Sequence, residues 1–112
     1  MVLHPETEES VNQLFRALAD GTRRDILARS LIETPSVSDL ASRYEMSFAA
    51  VRKHVAVLER AGLVKKRPNG REQLVSTNLA RLERAGEVLN HFELVWRRRM
   101  DRLDDVLRAN GT

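Results

Sequence analysis

Apolar residues recur along the first third of the chain with a helical period. From Glu8 to Leu18, Val11, Leu14, Phe15 and Leu18 stand at i, i+3, i+4 and i+7, the single stripe of an amphipathic helix. Asp20-Gly21 interrupts it, and a second helix follows to about Ile32 with Ile26, Leu27 and Leu31 inward, until Thr34-Pro35 stops it. Ser36 followed by Asp39 is a serine-x-x-acid start signal, so a short helix from Val37 to about Tyr44 should bury Val37, Leu40 and Ala41. After a turn at Glu45-Met46, Ser47 is the next N-cap. It opens a helix through Arg60 with Val51, Val55 and Leu58 on one face and Gly62 as the closing glycine.

From Leu63 the pattern changes. Leu63 to Arg67 and Arg71 to Thr77 flank Pro68-Asn69-Gly70, and Asn-Gly between two such runs predicts a two-stranded hairpin. The rest, Leu79 to Ala109, contains no proline and sets Leu82, Ala85, Leu89, Phe92, Trp96, Met100, Leu103 and Leu107 at steps of three or four. It predicts one long amphipathic helix, with Gly86 the place where it could break. Three helices, a turn, a further helix, a hairpin and a long helix describe a mainly α domain with a two-stranded β-wing, a winged helix-turn-helix. One domain is expected over residues 1–112: N-terminal helices in 7–35, the helix-turn-helix in 36–62, the wing in 63–77 and a C-terminal dimerisation helix in 79–109.

Charge sharpens this outline. Residues 1–42 hold four arginines against seven acids, 43–71 eight Lys/Arg against two, and 72–112 seven against seven, so the local balances are −3, +6 and 0. A middle third with twice the net charge of the chain is what a phosphate-facing surface requires. In a helix-turn-helix the second helix enters the major groove with its outer face. That face is Phe48, Ala49, Arg52, Lys53 and Ala56: Arg52 can donate two bonds to guanine O6 and N7, Phe48 and Ala49 can touch a thymine methyl, and Lys53 suits a phosphate. The plainer alternative makes Arg52 and Lys53 solubilising residues and lets Phe48 pack locally. Lys65, Lys66, Arg67 and Arg71 add a cluster on the hairpin that can lie along the DNA backbone or enter the minor groove, or simply charge an exposed edge.

Other chemistries find little support. The absence of cysteine removes disulfides, thiolate ligands and thiol nucleophiles. No nucleophile with a base, paired carboxylates or glycine-rich phosphate loop suggests an enzyme. Met1 to Ser10 carry three glutamates and no apolar leader core, and no apolar run approaches the ~20 residues of a membrane helix, so a cytoplasmic location is expected.

Two runs resemble a known family. Leu18-Ala19-Asp20-Gly21-Thr22-Arg23-Arg24-Asp25-Ile26-Leu27 is similar to the second-helix signature of ArsR-type repressors, and Ser47 to Val64 is similar to their recognition helix and its exit. The resemblance covers roughly Val11 to Thr77. It implies a homodimer, double-stranded DNA with an inverted-repeat operator as partner, and repression. Ser47, Phe48, Ala49, Arg52, Lys53, His54, Lys65, Lys66, Arg67 and Arg71 are the expected DNA-binding residues.

Two positions depart from the family pattern. Glu45 stands where glycine is usual, which requires a left-handed residue at about 1 kcal/mol or a different turn. Arg52 stands where serine is common.

The family's metal ligands have no counterpart. Ser36 and Ser38 occupy the region where thiolates would sit, and Glu87 with His91 supplies only two of the ligands a closed site needs. Neither a metal nor a cofactor is expected, and the effector is not legible. The apolar stripe of the last helix runs for about 25 residues, roughly 38 Å, longer than a small domain needs for its own core. The expected dimer interface is therefore Val11, Leu14 and Phe15 with Leu89, Phe92, Trp96 and Leu103. A winged-helix module for protein–protein contact or RNA, without sequence-specific DNA binding, is the alternative reading.

Overall fold

The computed structural model describes residues 7–111. The sequence expectation for Met1 to Glu6, and with it His4, lies outside the described residues. Five helices and one hairpin follow in chain order: α1 (Glu8–Leu18), α2 (Gly21–Ile32), α3 (Val37–Ser42), α4 (Phe48–Arg60), β1 (Val64–Asn69), β2 (Glu72–Thr77) and α5 (Leu79–Asn110). The chain forms two compact units, one up to Leu82 and one from Glu83 onward, with α5 continuous across the boundary and unbroken at Gly86.

Each helix start in the first unit is set by a side chain that satisfies an otherwise orphaned backbone N–H. Thr7 Oγ1 accepts from Ser10 N at 3.1 Å, Asp20 Oδ1 from Arg23 N at 3.0 Å, and Ser47 Oγ from Ala50 N at 3.1 Å. At α3 the pairing is reciprocal: Ser36 Oγ accepts from Asp39 N at 3.0 Å while Asp39 Oδ2 accepts from Ser36 N at 3.3 Å. Tight arginine bonds close α1. Arg23 donates to the carbonyls of Ala17 (2.7 Å) and Arg16 (2.8 Å), and Arg24 to that of Leu18 (2.7 Å), so the second helix caps the C-terminal carbonyls of the first. The Asp-Gly-Thr-Arg-Arg run is thus a two-way junction: its aspartate starts α2 and its arginines finish α1.

The core of this unit draws Leu14 and Ala17 from α1, Ile26 and Leu27 from α2, Val37 and Leu40 from α3, and Val51, Val55 and Leu58 from α4. Leu63, Val64 and Val75 add the base of the hairpin. Leu31 is not among them. It is 50% exposed, and Ser30 takes the inward place with its hydroxyl donating to the Ile26 carbonyl at 2.8 Å, which removes the cost of burying it. Helix α3 ends at Ser42, earlier than the sequence suggests, and Ala41 is only half-buried. Tyr44 lies beyond that end and donates its hydroxyl to Asp25 on α2, with Arg29 over its ring at 5.8 Å. The Tyr44 and Arg29 bonds hold the Asp25 carboxyl below its ordinary pKa. No non-glycine described residue has positive φ, so the α3–α4 turn takes the other form open to it and Glu45 avoids the left-handed region.

Helix α4 ends in a Schellman arrangement: Gly62 N donates to the Glu59 carbonyl and Leu63 N to that of Leu58, both at 2.9 Å, with Gly62 at φ +79°. Space is not the constraint there, since an added Cβ would meet the Arg81 side chain at an ordinary 3.5 Å. Backbone conformation is. Gly62→Ala should therefore cost about 1–2 kcal/mol, read as a lower urea midpoint at unchanged slope.

The two strands pair antiparallel from Val64↔Thr77 to Asn69↔Glu72. The pairing places the turn one residue later than the Asn-Gly signal suggests. Pro68 and Asn69 belong to β1, and Gly70-Arg71 form a two-residue loop with positive φ only at Gly70, the sign pattern of a type II′ turn. On its other edge β2 is held by Val75 N donating to the Pro35 carbonyl at 2.8 Å and by a bridge between Ser36 and Leu74. The wing is thereby tied to the start of α3.

Candidate nucleic-acid interface

Burying Val51, Val55 and Leu58 leaves the opposite face of α4 to solvent. Phe48 (47% exposed), Ala49, Arg52 and Lys53 lie on it, with Ala56 half-buried. Ser47 serves that face indirectly, as the cap that fixes the first turn. Beside it opens a cleft of about 680 Å³ whose far wall is the hairpin, through Lys66, Arg71, Glu72 and Gln73. Four cations, Arg52, Lys53, Lys66 and Arg71, face this cleft against one carboxylate, Glu72. The two basic clusters read from the sequence therefore share a concave surface.

The hairpin cations divide between its two faces. Opposed residues share a face and successive ones alternate, so Lys66, opposite buried Val75, points inward. Lys65 and Arg67, opposite Ser76 and Leu74, belong to the outer face. Lys66 also reaches back to Glu59 at 3.3 Å, an exposed pair of small energetic value. Gln73, which the sequence did not single out, and Ser38, which it marks only as standing in the region of the family's thiolates, line the cleft as well. Charge and apolarity could not reveal them as cleft residues, because both are neutral and polar; strand register brings Gln73 to this side, and Ser38 comes from α3.

His54 stands apart from the expected DNA-binding set. Its ring is turned towards α2, with Nδ1 at 3.4 Å from Arg23 Nη1 and 4.0 Å from Asp20 Oδ1. The Asp20 carboxyl is held below its ordinary pKa first by the backbone bond from Arg23. His54 thus joins the recognition helix to the α1–α2 junction.

The segment from Glu83 onward carries a different surface. Leu89, Phe92 (66% exposed), Trp96, Leu103 and Leu107 lie exposed along it, and Met100 is half-buried. Of the residues expected at a subunit interface, Leu14 is instead 1% exposed in the core, because at its helical position it faces α2 and α4, while Val11 and Phe15 are half-buried. Glu87 is bonded to Arg84 at 3.1 Å and His91 sits edge-on to Phe92, with ring centroids 5.8 Å apart. Among the described residues no group of three or more His, Cys, Asp or Glu is placed to hold a metal ion, and no helix is long and apolar enough to cross a membrane.

A short helix and a longer one joined by a tight turn, with the second exposed beside a two-stranded hairpin, define a winged helix-turn-helix. Comparison with known proteins narrows the class. Residues 18–67 match a family model described as a helix-turn-helix domain. Over 79 residues, 68% of this chain and 74% of the relative, the sequence is 42% identical to the HTH-type transcriptional regulator Rv2034 of Mycobacterium tuberculosis. An ArsR-like transcriptional regulator from Rhodococcus sp. RHA1 superposes with a TM-score of 0.79 at 29% identity, over 96% of this chain and 98% of that one. The fold alone is shared with the homodimeric winged helix-turn-helix DNA-binding domain of a possible ArsR-family regulator from Mycobacterium bovis, at a TM-score of 0.59 and 21% identity over 88% and 91% of the two chains. The chain belongs to the ArsR family of winged helix-turn-helix, DNA-binding transcriptional regulators.

Proposed function

We propose that this protein is a repressor that binds an inverted-repeat operator in the cytoplasm as a homodimer, one recognition helix to each half-site, without a resident cofactor. The observation that carries this reading is the cleft between α4 and the hairpin, where Arg52, Lys53, Lys66 and Arg71 converge from separate elements. A 13-residue α4, about 20 Å long, enters a major groove about 12 Å wide, and the cleft-facing cations lie along its flank. The exposed apolar stripe of α5 supplies the pairing surface. Phe92 and Trp96 alone offer large apolar areas, and two-fold pairing matches the symmetry of an inverted repeat.

The test is selection of bound duplexes from random DNA, followed by titration at several salt concentrations. Wild type should enrich one palindromic sequence. Lys66→Ala with Arg71→Ala should weaken binding to all duplexes about equally and make the slope of log K against log salt shallower by about 1–2, because phosphate contacts release counterions without reading bases. Repression is read from a reporter placed behind the selected operator. A protein that enriches no duplex would point instead to a protein or RNA module, and a double variant with unchanged affinity and salt slope would remove the cleft from the DNA-binding surface.

A further inference from the structure

We propose that Phe48 and Arg52 act as one reading unit, which selects in each half-site a guanine with a thymine one or two base pairs from it. This rests on the operator-binding reading above and names what its recognition helix reads. The two residues are one turn apart on α4, and the Arg52 guanidinium carbon lies 6.0 Å from the centroid of the Phe48 ring. Both side chains face the cleft, and among the described residues no carboxylate pairs with Arg52.

The chemistry of the pair divides cleanly. A guanidinium is attracted to an aromatic ring across the ring's face, whereas it recognises guanine through N–H groups along its own edge. The ring can therefore hold Arg52 while leaving its donors directed into the groove. An arginine restrained before binding loses less rotamer freedom on binding, so its bidentate contact with O6 and N7 gains discrimination.

Phe48 has a second use. It is the first residue of α4, the end from which recognition helices reach base edges, and nearly half of it is exposed. A phenylalanine in that position offers an apolar edge to a thymine methyl. Base pairs rise about 3.4 Å, so a 6.0 Å separation between guanidinium and ring spans one to two steps. That spacing links the two bases into one short recognition element.

The experiment uses the duplex selected by the full-length protein and two edited versions. One carries 7-deazaguanine for the guanine, which removes the N7 acceptor, and the other carries deoxyuridine for the thymine, which removes the methyl group. Wild type should lose about tenfold in affinity on the deazaguanine duplex. Arg52→Ala should bind the deazaguanine and unedited duplexes alike. Deoxyuridine should weaken wild type several-fold and leave Phe48→Ala unaffected. The coupling is read from Phe48→Ala on the deazaguanine duplex: its loss should be clearly smaller than that of wild type, while Phe48→Leu should keep the thymine preference and lose the coupling. Both residues are exposed, so thermal melting of each variant should match wild type. A selected half-site without guanine, or a full deazaguanine loss in Phe48→Ala, overturns the reading unit while operator binding stands. A wild-type protein that enriches no sequence overturns operator binding itself.

Discussion

Phe92→Asp should yield folded monomers that bind the full operator about 10²–10⁴-fold more weakly than wild type, the range by which linking two binding modules exceeds one. Phe92 lies in the middle of the exposed apolar stripe of α5, and a carboxylate there must be desolvated if a second protomer is to pack on it. Trp96→Asp should act in the same way. Leu94→Asp is the control. Leu94 is also exposed, but at 3.6 residues per turn it lies on nearly the opposite side of the helix from the stripe, so its variant should remain dimeric and keep wild-type affinity. Sedimentation velocity gives the mass and fluorescence anisotropy the affinity. A Phe92→Asp monomer with undiminished binding to the full operator would show that pairing is not required.

The largest effect on stability is expected from Leu58→Ala. Leu58 is fully buried on the inner face of α4, and its carbonyl also accepts the Leu63 N–H that closes the helix. Truncation there removes apolar contact and leaves a cavity, at about 2–5 kcal/mol. Small domains have only about 5–15 kcal/mol in total, and each kcal/mol moves the melting temperature by about 4–8 °C, so the midpoint should fall by at least 8 °C. Arg52→Ala, on the outer face of the same helix, should change stability by no more than about 0.5 kcal/mol, a midpoint shift of at most about 2–4 °C. Thermal circular dichroism separates the two. A Leu58→Ala midpoint within 2 °C of wild type would mean that α4 is not seated on this core. Together the pair distinguishes what holds the recognition helix from what it presents.

The elements of this fold were legible in the sequence because each is marked locally. Caps and stops stand next to the segments they bound: Ser36 with Asp39 opens α3, Ser47 opens α4, and Gly62 closes it with the positive φ that a side chain opposes. The apolar positions Val51, Val55 and Leu58 fall on one helical face, which leaves the opposite face of α4 to solvent. These are short-range effects, written within a few residues of where they act.

What the tertiary structure decided depends on neighbours distant in sequence. Ser30 could replace Leu31 in the core because its hydroxyl finds the Ile26 carbonyl, a choice that hydrophobicity alone orders the other way. The hairpin turn moved to Gly70-Arg71 because pairing with β2 set the register, and register then separated Lys66 from Lys65 and Arg67 although the three are consecutive. His54 was drawn towards Arg23 and Asp20 by a contact across 31 residues, and Leu14 was taken into the core of its own chain. Sequence by itself determined which segments become helices and hairpin and which stretch is basic, since propensity, capping and charge are properties of neighbouring residues. Only the folded chain decided which of those charges share a cleft, because strand register and helix packing select among side chains that are chemically equivalent on the page.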